Sequence, residues 1–267
     1  MGRPVCVTCG TQFADAEQPP ATCPICTDPR QYVPPEGQRW TTLDELASSH
    51  GNAIRDEGDL VGIGTEPKFA IGQRALLVPF GATNLLWDCV TLLDDATAAE
   101  VERRGGLGAI AISHPHYYSA MVEWAHRFDC PIHLHADDAE WVMRPDPAIR
   151  RWRGEWLPLG DDLMLVRLGG HFRGGTVLYR AGGGGALLTG DIIQVIPDRS
   201  HVGFMWSYPN LVPLPAAEVR RMAAAVEGLA FEAIYGAWWG TVIPRDGKAI
   251  VRRSAERYVR ALQTTPG

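Results

Sequence analysis

The spacing of apolar and polar residues first predicts a strand-rich region between residues 60 and 90. Brief apolar runs there are separated by Gly, Pro and Asn, which is typical of an antiparallel meander. The predicted strands are residues 61–65, 68–71, 75–79 and 84–90. Just ahead of them, Thr42 and Glu45 have the spacing of a capping box, which predicts the start of a short helix.

The pattern then changes to strands that alternate with helices. Helices are predicted at 94–104, 117–127 and 137–143, and buried strands at 109–113 and 131–135. This alternation indicates parallel strands covered by helices. The later part of the chain gives strands at 163–168, 176–180, 186–189 and 231–235, and helices at 215–229 and 248–262. Two strand-rich halves, each followed by helices, predict a two-sheet sandwich with helices outside.

Composition narrows the classes of protein that this chain can be. Of its 267 residues, 46% are hydrophobic and 21% are charged, which suits a globular protein and excludes wholesale disorder. No apolar run approaches the roughly 18–20 residues of a membrane-spanning helix. Cys6 and Cys9 lie where a signal peptide would have its apolar core, so no signal peptide is predicted. The net charge of −6 disfavours a broad nucleic-acid-binding surface.

Four cysteines form two C-x-x-C pairs, Cys6 with Cys9 and Cys23 with Cys26. Two such turns can place four thiolates around one ion, so the segment resembles a zinc ribbon or rubredoxin-like domain. We refer to residues 1–35 as the cysteine knuckle. Disulfides are the alternative, and iron is the alternative to structural zinc, which we favour because no partner redox motif is present. Reduced thiolates indicate a cytoplasmic protein.

A second group of metal-ligand residues follows three predicted strands. His114 and His116 form an H-x-H pair, His171 follows two glycines, and Asp191 follows Gly190. Ends of strands are where α/β proteins assemble their sites, and glycine lets the backbone approach a crowded centre. Imidazole and carboxylate groups in this arrangement predict a metal site.

The order and spacing of these motifs, with an internal Asp88, resemble the metallo-β-lactamase superfamily of hydrolases over residues 55–262. The resemblance implies an αββα four-layer sandwich, an α/β (α+β) fold, in a second domain at 36–267. It implies that His114, His116 and His171 bind the first metal ion. Asp191 would match the carboxylate that reaches the second metal ion.

The chain departs from the family at the second metal position. Tyr118 and Ser119 stand where the family's H-x-H-x-D-H motif has Asp and His, and no histidine follows His201. We therefore predict one ion, zinc or iron, held by three imidazoles plus Asp191 or water. Asp191 would orient the attacking water or accept its proton, and Tyr118 would donate a hydrogen bond to the developing oxyanion.

Other residues are predicted to line the substrate site. Tyr117, Trp238 and Trp239 would form an aromatic wall, with core packing as the alternative. His135 would contact substrate, with the capping of the next helix as the favoured alternative. Residues 144–156 are basic and aromatic, which fits a lid, an anionic-substrate contact or a solvated loop.

These features predict a mononuclear metallohydrolase that acts on an ester, thioester or lactone of a small molecule. A degenerate second site weighs against phosphodiester cleavage, which typically uses two metal ions. The first alternative is a non-catalytic member of the same fold that binds a ligand or partner. The second is a redox protein with iron in both sites.

Overall fold

The computed structural model describes residues 2–263. The chain begins with short elements around the four cysteines. In chain order they are β1 (Val5–Cys6), α1 (Pro24–Thr27), β2 (Trp40–Thr41) and α2 (Leu43–Ala47). Strands β1 and β2 pair antiparallel. The predicted capping box is confirmed at α2, where the Thr42 hydroxyl accepts the Glu45 N–H and the Glu45 carboxylate accepts the Thr42 N–H.

A seven-stranded sheet follows, with its strands in chain order. They are β3 (Gly51–Glu57), β4 (Leu60–Glu66), β5 (Arg74–Phe80), β6 (Thr83–Trp87), β7 (Leu107–Ala111), β8 (Ile132–His135) and β9 (Ile149–Trp152). The strands pair antiparallel from β3 to β6 and parallel from β6 to β9. Helices α3 (Asp95–Arg103) and α4 (Met121–Phe128) lie in the parallel half, with 3-10 turns at Pro115–Tyr117 and Ala136–Trp141.

The rest of the chain forms a six-stranded sheet, two small ribbons and two helices. These elements are β10 (Trp156–Pro158), β11 (Leu163–Arg167), β12 (Thr176–Arg180), β13 (Ala186–Gly190), β14 (Gln194–Val195), β15 (Val202–Gly203), β16 (Met205–Ser207), β17 (Val212–Pro213), α5 (Ala216–Glu227), β18 (Ala233–Gly236), β19 (Val242–Ile243) and α6 (Gly247–Gln263). The order in the sheet is β10-β11-β12-β13-β18-β19, and only β13 and β18 pair parallel.

Alternation along the strands builds the four layers, because successive side chains point to opposite faces of a sheet. On β5, Leu76 and Val78 pack between the two sheets, whereas Ala75 and Leu77 pack toward α3 and α4. On β13, Leu188 packs between the sheets and Leu187 packs toward α5 and α6. The predicted αββα sandwich is therefore confirmed.

The structure differs from the predicted elements in several places, and the short strands β14 to β17 and β19 were not predicted. Residues 68–71 form no strand and instead lie in the loop between β4 and β5. Strand β3 was not anticipated, because its sequence is polar and only half buried. The basic segment at 144–156 is not one loop, since it contributes the edge strand β9 and the start of β10. Within residues 2–263, no helix is long and apolar enough to cross a membrane.

A candidate metal centre at the ends of the sheets

Four side chains converge where strands of both sheets end. His114 and His116 follow β7, His171 lies in the loop between β11 and β12, and Asp191 follows β13 directly. We call these four residues the histidine site. All four are at least 95% buried. Strands β7 and β13 belong to different sheets, so the sandwich itself brings the H-x-H pair to the carboxylate.

The distances among the three histidines suit ligands of one ion. The ligand atoms of the three histidines all lie within 4.8 Å of one another. His116 Nδ1 and His171 Nε2 are 3.1 Å apart, and His114 Nε2 and Asp191 Oδ1 are 3.3 Å apart. Zinc–nitrogen bonds of about 2.0–2.1 Å in a tetrahedron place ligand atoms about 3.3–3.4 Å apart. The observed separations therefore fit a zinc-sized ion.

Two of these atoms lack any partner within the described chain. His114 Nε2 and Asp191 Oδ1 are buried and make no hydrogen bond, although they face each other. A buried polar atom without a partner costs about 1–3 kcal/mol, and such atoms are rare in native structures. A metal ion bound to the histidines would satisfy His114 Nε2, and a water ligand of that ion would satisfy Asp191 Oδ1. The residues present therefore fit the metal that the resemblance implies.

The orientation of His114 is fixed from behind by polar neighbours. Its Nδ1 is 2.9 Å from the Ser113 hydroxyl, and the Ser113 N–H donates to Asp88 Oδ1 at 2.8 Å. Gly190 allows this packing, because a Cβ there would lie 2.7 Å from Ser113 Oγ and 3.2 Å from Asp88 Oδ2. Its φ of +54° is also a conformation that favours glycine. These contacts leave Nε2 of His114 as the free ligand atom.

Burial sets the protonation states in the histidine site. It lowers the pKa of His114 and His116 well below the ordinary value and that of His171 to about 4. The imidazoles are therefore neutral at pH 7, which is the form that binds metal ions. Burial also raises the pKa of Asp191 to about 7, so its carboxyl group exchanges protons near neutral pH.

A cavity of about 190 Å³ opens onto the histidine site. We call it the site cavity. His116, His171 and Asp191 form part of its lining. The remaining lining residues come from the cysteine knuckle, from the β4–β5 loop and from two late loops, and they are Thr8, Gln31, Tyr32, Lys68, Ala70, Ile71, Tyr208, Pro209 and Trp238. The knuckle thus forms one wall of the candidate site.

Two of the predicted aromatic residues lie at the site. Trp238 lines the cavity, and its Nε1 is 3.5 Å from the carbonyl oxygen of Ile71. Tyr117 is buried against His114, with ring centroids 4.4 Å apart. Its hydroxyl approaches the Asp191 carboxyl without hydrogen-bond geometry. The desolvated hydroxyl has a pKa well above the ordinary value, so it stays protonated.

The structure does not bring the other three predicted residues to the site cavity. Tyr118 packs in the core between the seven-stranded sheet and its helices. His135 has both nitrogens engaged, because Nε2 is 3.1 Å from the Gly154 carbonyl oxygen and Nδ1 accepts the Asp137 N–H. Trp239 packs over the two glycines of β4, where an added Cβ would lie within 2.8 Å of its ring.

The four knuckle cysteines form a second cluster. Their sulfurs lie within 4.8 Å of one another and the residues are at least 99% buried. Cys6 Sγ is 3.5 Å from Cys26 Sγ, and Cys9 Sγ is 3.7 Å from Cys23 Sγ. Zinc–sulfur bonds of about 2.3 Å in a tetrahedron give sulfur separations of about 3.8 Å. All six cysteines are free thiols, so the disulfide alternative does not apply.

Sequence reasoning missed two residues that donate to backbone carbonyl groups of the histidine site, and among the other lining residues of the cavity it named only Trp238. The Tyr208 hydroxyl donates to the Asp191 carbonyl oxygen at 2.7 Å, and its side chain lines the cavity. Arg30 contacts the loop that carries His171. Neither belongs to a recognisable motif, and both come from loops distant in sequence from the residues that they contact.

Several solved structures with a similar arrangement of sheets and helices are metallo-β-lactamases. DIM-1 metallo-β-lactamase is 12% identical and matches over 79% of this chain and 98% of its own, with a TM-score of 0.59. FIM-1 from Pseudomonas aeruginosa, in its mono-zinc form, is 14% identical. It matches over 78% of this chain and 96% of its own, with a TM-score of 0.57. The metallo-β-lactamase from Pontibacter korlensis is 11% identical. It matches over 78% of this chain and 99% of its own, also with a TM-score of 0.57. The protein therefore has the metallo-β-lactamase fold.

Its sequence relationship is to a different protein. The chain is 49% identical over 267 residues to the uncharacterized protein YmaE of Bacillus subtilis (strain 168), and the match covers 97% of each. The chain belongs to the YmaE family. No family model matches it.

Proposed function

We propose that this protein is a metal-dependent hydrolase with one ion in the histidine site and a small ester, thioester or lactone as its substrate. The observation that carries this proposal is the convergence of three neutral imidazoles and Asp191 beside the site cavity, with two facing ligand atoms left unpartnered. Three histidines with an open fourth position are the ligand set of catalytic zinc sites.

The candidate ligands in the described part of the chain support a single ion in the histidine site. Among residues 2–263, the side chains that could hold a metal form only two groups, the four cysteines and the three histidines. Tyr118 and Ser119 offer no carboxylate or imidazole for a second ion. FIM-1, which shares the fold, has a structure in mono-zinc form. We propose zinc here, with iron as the alternative, and structural zinc in the cysteine cluster.

A bound zinc ion would lower the pKa of a water ligand toward about 7 and polarise a carbonyl oxygen. A residue of the protein would then accept the proton of that water. Asp191 Oδ1 lies 3.3 Å from His114 Nε2, where it would orient the water ligand and accept its proton. Tyr208 holds the backbone of Asp191 through its hydroxyl, which keeps the carboxylate aimed at the imidazoles.

The site cavity limits the substrate. Its volume of about 190 Å³ is below the roughly 300–1,000 Å³ of drug-sized pockets, so it accepts one small acyl group or ring. Tyr32, Ile71 and Trp238 give it apolar walls. Gln31 and Lys68 supply polar contacts. We therefore place the reacting carbonyl at the histidines and the apolar part of the substrate against Trp238.

The cysteines also bear on where the protein is located in the cell and on how the chain divides into domains. All six cysteines are reduced, which suits the cytoplasm. We propose that the knuckle, residues 1–35, is a zinc-dependent domain attached to a catalytic domain at 36–267. A segment of about 35 residues buries too little apolar surface to fold without metal or a partner.

The test is metal content and turnover in matched histidine variants. His116→Ala removes one imidazole of the site, and His126→Ala removes an exposed histidine with a 53% exposed side chain as the control. Each protein is purified without added metal, analysed for zinc and iron per chain, and assayed on chromogenic esters, acyl thioesters and lactones. We expect two ions in wild type and His126→Ala, one in His116→Ala, and turnover only in the first two.

Two results would overturn the proposal. Full turnover in a metal-depleted His116→Ala protein would exclude a metal-dependent reaction. Two ions in wild type without turnover of any of the three substrate classes would favour the alternative, a ligand-binding or partner-binding member of the fold.

A further inference from the structure

The cysteine knuckle is anchored to the same strand that orients His171. Asn210 Nδ2 donates to the carbonyl oxygens of Pro29 and Gln31 at 2.8 and 3.0 Å. The Ser207 hydroxyl donates to the Arg30 carbonyl oxygen at 3.1 Å. Ser207 is the last residue of β16, directly after the residue whose carbonyl group contacts the His171 ring. The segment just after the second C-x-x-C pair is therefore fixed to the surroundings of the histidine site.

The Arg30 side chain is held in one orientation. Its guanidinium donates to both carboxylate oxygens of Asp28, at 2.6 and 2.9 Å, and the two side chains are only 12% and 14% exposed. A planar fork of this kind fixes the group in direction as well as in distance. Its face lies 3.8 Å from the centre of the Phe172 ring. Arg30 is thus a rigid group and not a mobile surface side chain.

This rigid group contacts the backbone of a predicted metal ligand. Arg30 Nη1 donates to the carbonyl oxygen of His171 at 3.3 Å, while its face covers the next residue, Phe172. The His171 ring is held from its other side, because Nδ1 donates to the Trp206 carbonyl oxygen at 2.7 Å. Nε2 is left facing His116 Nδ1. The docked knuckle therefore provides one support of His171 and contacts Ser207, the residue next to the other support.

We infer that Arg30 is a positioning residue for His171, through which the cysteine knuckle sets the metal affinity of the histidine site. The inference rests on the proposed function, because it requires a metal ion at that site. Residues that orient a metal ligand typically change metal affinity 10–100-fold when they are replaced. Loss of the Arg30 contacts frees the backbone at His171, so the same ion should bind more weakly without any change in its ligands.

The experiment measures zinc affinity at each site separately. A chelator first removes zinc from the histidine site while the four-thiolate site keeps its ion, and zinc is then added back in competition with a chromophoric chelator. The variants are Arg30→Gln, Arg30→Lys and the control Arg39→Gln, which changes an exposed arginine of the neighbouring segment. We expect a Kd at the histidine site 10–100-fold higher in Arg30→Gln and unchanged in Arg39→Gln. The Kd of Arg30→Lys should lie between these two values, because lysine keeps the positive charge but lacks the planar guanidinium that bonds both oxygens of Asp28.

The outcomes separate this inference from the proposed function. Wild-type affinity in Arg30→Gln would overturn the inference alone. Loss of zinc from the cysteine cluster in Arg30→Gln would also overturn it, because Arg30 would then support that cluster and not His171. A wild-type protein that binds zinc at both sites but turns over none of the substrate classes would overturn only the proposed function.

Discussion

The Asp138 carboxylate accepts the backbone N–H of Gly174 at 2.8 Å, which joins the 3-10 turn after β8 to the loop that carries His171. Asp138 is only 2% exposed, and burial raises the pKa of its carboxyl group to about 7. In the unfolded chain the same group titrates near pH 4. Folding therefore becomes linked to pH at this residue.

The sign of that linkage gives the first prediction. Between pH 4 and pH 7 the folded chain keeps a proton on Asp138 that the unfolded chain has lost, so the free energy of unfolding falls as pH rises. Three pKa units correspond to about 4 kcal/mol. Asp138→Asn keeps an oxygen acceptor for Gly174 and removes the titration. We expect this variant to gain stability relative to wild type as pH rises from 4 to 8.

Urea unfolding at several pH values measures this effect. Release of a bound metal ion at low pH would also change stability, so the informative quantity is the difference between variant and wild type at each pH. Asp161→Asn, at an exposed aspartate, is the control and should give a constant difference. A constant difference for Asp138→Asn as well would show that Asp138 titrates normally.

Asp191→Asn should separate proton transfer from metal binding. The amide keeps an oxygen beside His114 but cannot accept a proton, and general-base catalysis typically contributes 10²–10⁴-fold. We expect turnover to fall at least 100-fold while the zinc content stays near wild type. Steady-state kinetics and metal analysis check both, with Asp198→Asn as an exposed control. A fall in zinc content that matches the fall in activity would assign Asp191 to metal binding alone.

Two tyrosine variants distinguish the residue predicted from sequence from the one found in the structure. Tyr208→Phe removes the hydrogen bond to the Asp191 carbonyl oxygen, which contributes about 0.5–1.5 kcal/mol. We expect kcat/KM to fall about 3–10-fold. Tyr118→Phe should change it less than about twofold, because Tyr118 packs in the core. The reverse order of effects would restore Tyr118 as the oxyanion donor.

Gly190→Ala should disrupt the support of His114. The added methyl group would meet Ser113 Oγ at 2.7 Å, on a residue whose φ of +54° strains any side chain. We expect a loss of about 1–3 kcal/mol in stability together with weaker zinc binding at the histidine site. Gly182→Ala is the matched control, because nothing lies within 4 Å of its Cβ position. Thermal unfolding and zinc titration of both variants give the comparison.

Local patterns were sufficient to predict the layers of the sandwich, the cysteine cluster and the H-x-H pair, whereas the resemblance to the superfamily supplied the roles of His171 and Asp191. Apolar alternation and the capping box at Thr42 depend on neighbours a few residues away, so the sequence encodes them directly. The C-x-x-C and H-x-H spacings are equally local. Strand β3 was missed because it is a half-buried edge strand whose polar sequence carries no apolar period.

The arrangement around the histidines could not be predicted in the same way. Tyr208 reaches Asp191 only because the turn after β16 folds back over the site, and Arg30 reaches His171 only because the knuckle docks there. Trp238 and Trp239 are adjacent and chemically alike, yet one lines the cavity and the other packs on β4. Tertiary packing determines these differences, and no local pattern records them.

The contact between Arg30 and the His171 loop joins two parts of the chain that are synthesised at different times. The two residues are 141 positions apart, so at about 5–20 residues per second the ribosome makes Arg30 roughly 7–28 s before His171. The four thiols are complete even earlier. All four cysteines are therefore synthesised well before His171, and the loops against which the knuckle docks are made after the knuckle itself.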